Sequence, residues 1–218
     1  MGYNKTMDLG FNKEELSVLR KLRTPQRIQD FLDTIPINFE IGGETCMSPR
    51  RAIRENKAHC MEGALLAAAA LWLYCQPPLL LDLKTGRGDT DHVVALFKYK
   101  NYWGGITKTN HGVLRYRDPI YRDIRELAMS FFHEYFLDSG RKTLLSYSQP
   151  FDLRKVFKKY NWTVNEEDLW DLSVELDESP HSFIVPKGLK LRPASKTEIE
   201  AGKVVEWKND FHNNRTSD

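Results

Sequence analysis

The sequence predicts an α+β protein in which a central helix packs on a small antiparallel sheet. Residues 63–72 are apolar on every side, which places this helix inside the protein rather than on its surface. Residues 79–84 and 92–99 have the length and apolar content of strands and are joined by a polar loop. A tight turn at Lys100 and Asn101 then leads into a third strand over residues 102–108.

Three more helices are predicted before the central one. Apolar residues at helical spacing indicate a helix over residues 13–22. The threonine–proline pair at 24–25 is an N-cap with proline at the first helical position, and this helix runs to about Thr34. The serine–proline pair at 48–49 repeats the signal before a short basic helix over residues 50–56.

Beyond the three strands the pattern is more broken. Residues 110–119 are typical of a loop, and residues 124–136 have helical character with many aromatic side chains. Residues 151–160 are predicted to form a short amphipathic helix, and residues 182–185 a strand.

The chain length of 218 residues allows one large domain with a modest appendage. We expect residues 1–150 to form the main domain and residues 151–211 a small C-terminal extension packed on it. Residues 212–218 are polar and are expected to be disordered.

Composition narrows the class of partner. The chain is 41% hydrophobic and 28% charged, as in an ordinary globular protein, and its net charge is only +2. The basic cluster at 50–51 is short, and the one at 115–125 is interleaved with acids. Nucleic acid is therefore the weakest candidate partner. The most apolar stretch, residues 64–83, is interrupted by Gln76-Pro77-Pro78, so no membrane span is expected.

The three cysteines, Cys46, Cys60 and Cys75, contain no CxxC pair, which argues against a disulfide framework or a structural metal site. With no signal-peptide pattern at the start, we expect a cytoplasmic, reduced protein that needs no cofactor. Cys46 and Cys75 are expected to be inert, because most free cysteines are buried bystanders.

Cys60 is the candidate nucleophile, because it falls at the predicted first turn of the central helix. Unpaired backbone N–H groups and the positive end of the helix dipole both favour its thiolate, which is the reactive form. His92 opens the second predicted strand and is the candidate general base. A site of this kind also needs a third group that orients the imidazole.

The segments Cys60-x-x-Gly63 and Asp91-His92-Val93-Val94 resemble, in order and spacing, the transglutaminase-like superfamily of the papain-like cysteine protease fold. The resemblance covers about residues 24–123. It implies a papain/transglutaminase-like core and a Cys-His based triad that acts on an amide of a peptide or protein substrate. In that pattern a tryptophan opens the strand after the histidine strand, and an aspartate follows four positions later.

Trp103 is in place, but the fourth position after it is Thr107, so the third member of the triad is open. Asn110 would complete a Cys-His-Asn set, Asp118 offers a true carboxylate further along, and Thr107 lies in register as a weaker acceptor. Trp103 and Thr107 are also expected to line the site, and His111 is either a substrate-loop residue or a solvated one.

Several groups around the nucleophile have expected roles. The backbone N–H of Cys60 is the first oxyanion donor, and Asn56 is a candidate side-chain donor. The His59 side chain is expected to point away from that of Cys60 and to polarise the site only from its edge. Glu62 is expected to be a solvated first-turn carboxylate that opposes thiolate formation.

The leading hypothesis is a cysteine-nucleophile amide hydrolase or acyltransferase, with hydrolysis favoured because no module for a second substrate is visible. The rival hypothesis is a catalytically inactive transglutaminase-like protein that serves as a binding or scaffold module. The missing strand aspartate supports this rival, since loss of the orienting group costs much of the rate.

Overall fold

The computed structural model describes residues 8–208 and confirms the α+β class. The helices are α1 (Lys13–Leu19), α2 (Pro25–Thr34), α3 (Pro49–Glu55), α4 (Cys60–Leu73), α5 (Ile124–Met129), α6 (Phe157–Tyr160), α7 (Trp170–Asp177) and α8 (Lys196–Gly202). The strands are β1 (Leu79–Thr85), β2 (His92–Tyr99), β3 (Tyr102–Ile106), β4 (Arg117–Tyr121), β5 (Leu144–Ser148), β6 (Phe151–Asp152) and β7 (His181–Phe183).

The sheet is larger than the sequence predicts. Its strand order is β4-β3-β2-β1-β5-β7, β6 also pairs with β1, and every pairing is antiparallel. The predicted hairpin of β2 and β3 is present, with Ala95 opposite Ile106 and Tyr99 opposite Tyr102. Leu83 of β1 lies opposite His92, which fixes the start of β2 at one end of the sheet.

Helix α4 is the centre of the protein, as its apolar sequence predicts. Its residues from Met61 to Leu71 are all buried, and the helix packs on the sheet face that carries Ala95 and Phe97. Alanine at many of these positions lets the helix approach the strands closely. Full burial on all sides fixes the axis of α4 and therefore the position of its first residue, Cys60.

Gly63 allows a second chain segment to cross the start of α4. A Cβ atom at Gly63 would lie 2.4 Å from Cβ of Lys108, so only glycine fits here. Lys108 is 1% exposed, and its Nζ donates hydrogen bonds to the carbonyl oxygens of Leu32 (2.8 Å) and Ile35 (2.6 Å). These carbonyls belong to the C-terminal end of α2, where a cation is favoured, so α2, α4 and the chain after β3 are tied together.

Residues 153–176 contribute to the core around α4. Leu153, Trp162 and Leu172 are fully buried in the cluster that surrounds α4, and Trp162 Nε1 donates to the Leu153 carbonyl at 3.1 Å. Strands β6 and β7 extend the sheet. The expected disordered tail, residues 212–218, lies outside the described residues.

Two predicted helices are wrong in part. The helix predicted over 124–136 ends at Met129, where the Ser130 hydroxyl donates to the Leu127 carbonyl, and a 3₁₀ turn (Phe132–Glu134) follows. The helix predicted over 151–160 begins as β6, because Phe151 pairs with Leu80 of β1, and only α6 is helical.

The remaining elements add two points. The predicted loop over 110–119 ends in β4, an edge strand, and α7 and α8 were not anticipated. Within residues 8–208, no helix has the length and apolar content to cross a membrane.

Candidate functional site

Cys60 is the first residue of α4, as the sequence predicts, and the residues around it form a capping box. Nδ1 of the N-cap residue His59 lies 3.3 Å from the Met61 backbone nitrogen, a contact in which only the neutral ring can accept. The Glu62 side chain in turn accepts from the His59 backbone N–H at 2.9 Å. The Cys60 N–H therefore lies in the first turn, where a helix leaves its donors without intrahelical partners.

The start of α4 meets the start of β2. The Cys60 side chain is half-buried, and its Sγ lies 4.0 Å from the carbonyl oxygen of Asp91, the residue before His92. Burial alone would raise the pKa of Cys60. Hydrogen bonds and electrostatic interactions with His59 and His92 outweigh burial and lower the pKa of Cys60 to about 5. The thiol is therefore ionised at neutral pH.

His59 faces Cys60, and the expectation that its side chain points away is wrong. Its Nε2 lies 2.8 Å from the Thr45 carbonyl oxygen, and because a carbonyl only accepts, Nε2 carries a proton. Burial disfavours the charged ring, but the Cys60 thiolate and Glu62 raise the pKa of His59 to about 9. Between these two pKa values the pair exists as thiolate and imidazolium.

Glu62 is not a solvated carboxylate, because it is 0% exposed. One oxygen accepts from Thr45 Oγ1 (2.8 Å) and the Met47 N–H (3.0 Å), and the other from the His59 N–H and from Asn38 Nδ2 (3.2 Å). The loop before α3 supplies three of these donors. The sequence analysis does not predict that Glu62 is a buried hydrogen-bond acceptor, although the His59-x-x-Glu62 spacing is typical of a capping box.

His92 is 5% exposed and lies beside the thiol, but it lacks an orienting group. Its Nε2 atom is buried and forms no hydrogen bond within residues 8–208. None of the three candidates for a third triad member reaches it. Thr107 is fully buried, and its hydroxyl donates instead to the Leu114 carbonyl at 2.9 Å.

Asn110 and Asp118 are engaged elsewhere. Asn110 donates from Nδ2 to the Trp207 carbonyl (3.0 Å) and accepts at Oδ1 from the Trp207 N–H (2.8 Å), so it fastens the C-terminal segment. Asp118 is exposed on edge strand β4, two strands away from β2. Neither residue therefore forms a hydrogen bond to His92.

The other expected lining residues are not among those that line the cleft beside Cys60. Trp103 pairs with Lys98, six residues along β2 from His92 or about 20 Å at strand spacing. His111 is exposed and forms an isolated bridge with Val205. Asn56 is exposed at the C-cap of α3 in a left-handed conformation, φ 51°.

The other two cysteines differ from Cys60. Burial and the nearby charge of Glu62 raise the pKa of Cys46 to about 12, so this thiol stays protonated. Cys75 is exposed in a turn after α4 rather than buried. Only Cys60 among the three lies between two imidazoles.

Cys60 opens on a cleft of about 330 Å³ between the sheet and α7, which contains three aspartates. The oxygens of Asp82, Asp91 and Asp177 lie within 4.8 Å of one another. Burial and Asp91 raise the pKa of Asp82 to about 6, against the opposing effect of His181. Asp82 contacts His181 Nε2 at 3.2 Å and Asp177 contacts Lys84 Nζ at 2.7 Å, so both carboxylates already have cationic or donor partners.

The fold and site define an α+β protein with an activated cysteine at the start of its central helix. Comparison with protein-family models and with curated proteins found no match. What the chain does must therefore be argued from the site itself.

Proposed function

We propose that the chain is a cysteine-nucleophile enzyme that cleaves an amide of a peptide or protein substrate, or transfers its acyl group. The observation that carries the proposal is the Cys60 thiol, whose pKa is lowered to about 5 at the mouth of a cleft. Activation of this kind is typical of catalytic cysteines and not of structural ones. A cysteine that begins a central helix, beside a histidine that begins a strand, also supports a papain/transglutaminase-like core.

The chemistry requires two steps. The Cys60 thiolate attacks the carbonyl carbon, and the backbone N–H of Cys60 donates to the oxyanion that forms. An imidazolium beside the sulfur protonates the amine as the C–N bond breaks, which leaves a thioester on Cys60. Water then attacks the thioester, an imidazole takes its proton, and the acid and free thiolate are released. An amine in place of water would complete acyl transfer.

Acylation by a generic activated ester tests this proposal. With p-nitrophenyl acetate we expect a rapid release of nitrophenol equal to the amount of protein, and one acetyl group on Cys60 by peptide mass spectrometry. Cys60→Ala should abolish the rapid phase, and Cys75→Ser should retain it as the matched control. Acetylation of exposed Cys75 alone would refute the proposal.

A binding module without turnover is the second candidate, and one observation favours it. The Nε2 atom of His92 has no orienting partner in the described part of the chain, so that imidazole is not held in one tautomer. If this candidate is correct, no acyl-enzyme forms in the wild type, and Cys60→Ala binds the same peptides with unchanged affinity.

A further inference from the structure

We propose that Glu62 is the positioning residue of the site, and that it holds the His59 imidazole against Cys60. The orienting carboxylate would then come from the helix of the nucleophile and not from the strand that follows His92. This inference rests on the proposed role of Cys60 as nucleophile.

The first support is the geometry of the His59 ring. Its Nε2 lies 2.8 Å from the Thr45 carbonyl oxygen and 3.3 Å from Glu62 Oε1, while Glu40 Oε1 is more distant at 3.8 Å. These acceptors keep the proton on Nε2 and leave Nδ1 for the side of the ring toward Cys60. This is the relation that an acid–base histidine needs to its orienting group.

The second support is the rigidity of Glu62. It is completely buried, and its two oxygens accept hydrogen bonds from two backbone N–H groups and from the side chains of Thr45 and Asn38. A set made only of donors matches a carboxylate, which accepts at both oxygens. Four donors on two oxygens, one of them the backbone N–H of His59 itself, restrain Glu62 beside His59. A positioning group must be fixed in this way.

The third support is the contrast with His92. Both imidazoles lie beside the thiol, but only His59 has an acceptor behind it, whereas Nε2 of His92 is buried and unpartnered. The Met61 N–H contact to Nδ1 of His59 is long for a hydrogen bond at 3.3 Å. A protonated Nδ1 would give up that weak contact and donate to the thiolate. We therefore assign the imidazolium of the resting pair to His59.

Titration of Cys60 in three variants tests the inference. His59→Asn removes the imidazole but keeps a good N-cap residue, Glu62→Gln removes the charge at nearly constant shape, and His92→Gln is the matched control for loss of the other ring. All are made in a Cys75→Ser background. The pKa of Cys60 is measured from thiolate absorbance and iodoacetamide rates, the pKa of His59 by NMR, and folding by thermal denaturation.

We expect His59→Asn to raise the pKa of Cys60 by about 1–3 units, as loss of an adjacent opposite charge does. Glu62→Gln should lower the pKa of His59, and loss of the group that holds this ring against the thiolate should raise the pKa of Cys60 by about one unit. Well below pH 5 the thiolate fraction then falls ~10-fold, and alkylation slows ~3-fold because the more basic thiolate is more nucleophilic. A purely structural Glu62 would lower the melting temperature and leave both pKa values unchanged. That result would overturn the inference.

Two further outcomes are decisive. If Glu62→Gln does not fold, Thr45→Val removes one donor from Glu62, and an unchanged pKa of His59 there counts against the inference. If His92→Gln raises the pKa of Cys60 while His59→Asn does not, the inference is wrong but the proposed function stands. An ordinary thiol pKa for Cys60 in the unaltered protein would instead remove the proposed function itself.

Discussion

The pH dependence of Cys60 alkylation follows directly from the lowered pKa of about 5. At about pH 5.5 roughly three quarters of Cys60 should be thiolate, against about 0.1% of a small thiol with an ordinary pKa of about 8.5. The less basic thiolate is also ~40-fold less nucleophilic, since reactivity follows basicity with a slope of about 0.4–0.5. Cys60 should therefore react roughly 20-fold faster than the small thiol at this pH.

The order of the two rates should reverse in mild alkali. At about pH 8 roughly a quarter of the small thiol is ionised, so Cys60 becomes ~10-fold slower, and the two rates cross near pH 7. The assay is iodoacetamide alkylation with a blocked cysteine peptide as reference, followed by quantification of the Cys60 peptide. Half-burial of Cys60 lowers its rate at every pH but does not move the midpoint. A Cys60 rate that climbs about tenfold per pH unit up to pH 8 would refute the reasoning.

Three further predictions concern stability and the third triad member. Gly63→Ala brings a Cβ to 2.4 Å from Cβ of Lys108 and should destabilise the protein by about 1–3 kcal/mol in denaturant unfolding, whereas Gly42→Ala, which meets nothing within 4 Å, should be nearly neutral. The Cys60 thiolate stabilises the fold above its pKa of about 5, and charged His59 stabilises it below its pKa of about 9. The free energy of unfolding of the wild type, relative to Cys60→Ser, should therefore rise by about 2 kcal/mol between pH 5 and pH 6.5, which is the ordinary pKa of histidine. It should then stay level to pH 9. A difference that does not change with pH would contradict the ion pair. Asn110→Ala should increase proteolysis after residue 203 without moving the pKa of Cys60, and a rise of that pKa would restore Asn110 as the third member.

The helix starts, including the position of Cys60 at the start of α4, can be predicted because their signals are local. Thr24, Ser48 and the residues before Cys60 mark helix N-termini through short side-chain contacts to their own first turn. The first three strands are also predictable, because their apolar runs are local and a short turn joins β2 to β3. These elements locate Cys60 and His92 together at one end of the core.

The rest depends on contacts between distant parts of the chain. Strand β6 is set by its pairing with β1 and not by its own pattern, which is compatible with a helix. Glu62 looks like any first-turn acid until the loop that carries Asn38, Thr45 and Met47 folds over it. No local sequence pattern predicts which hydrogen-bond donors a carboxylate will contact in the folded protein. The sequence therefore directs attention to the strand after His92 and not to Glu62.

Helix α7 lines one side of the Cys60 cleft, and it is synthesised on the ribosome long after Cys60. Cys60, Asp82 and Asp91 emerge early, but Val174 and Asp177, which close the cleft, follow more than eighty residues later. At about 5–20 residues per second, the interval between Cys60 and Asp177 is roughly 6–24 s. During that time the thiol exists without a finished cleft. In the nascent chain the Cys60 thiol therefore precedes the α7 side of its cleft by that interval, and the cleft can form only after Asp177 has been synthesised.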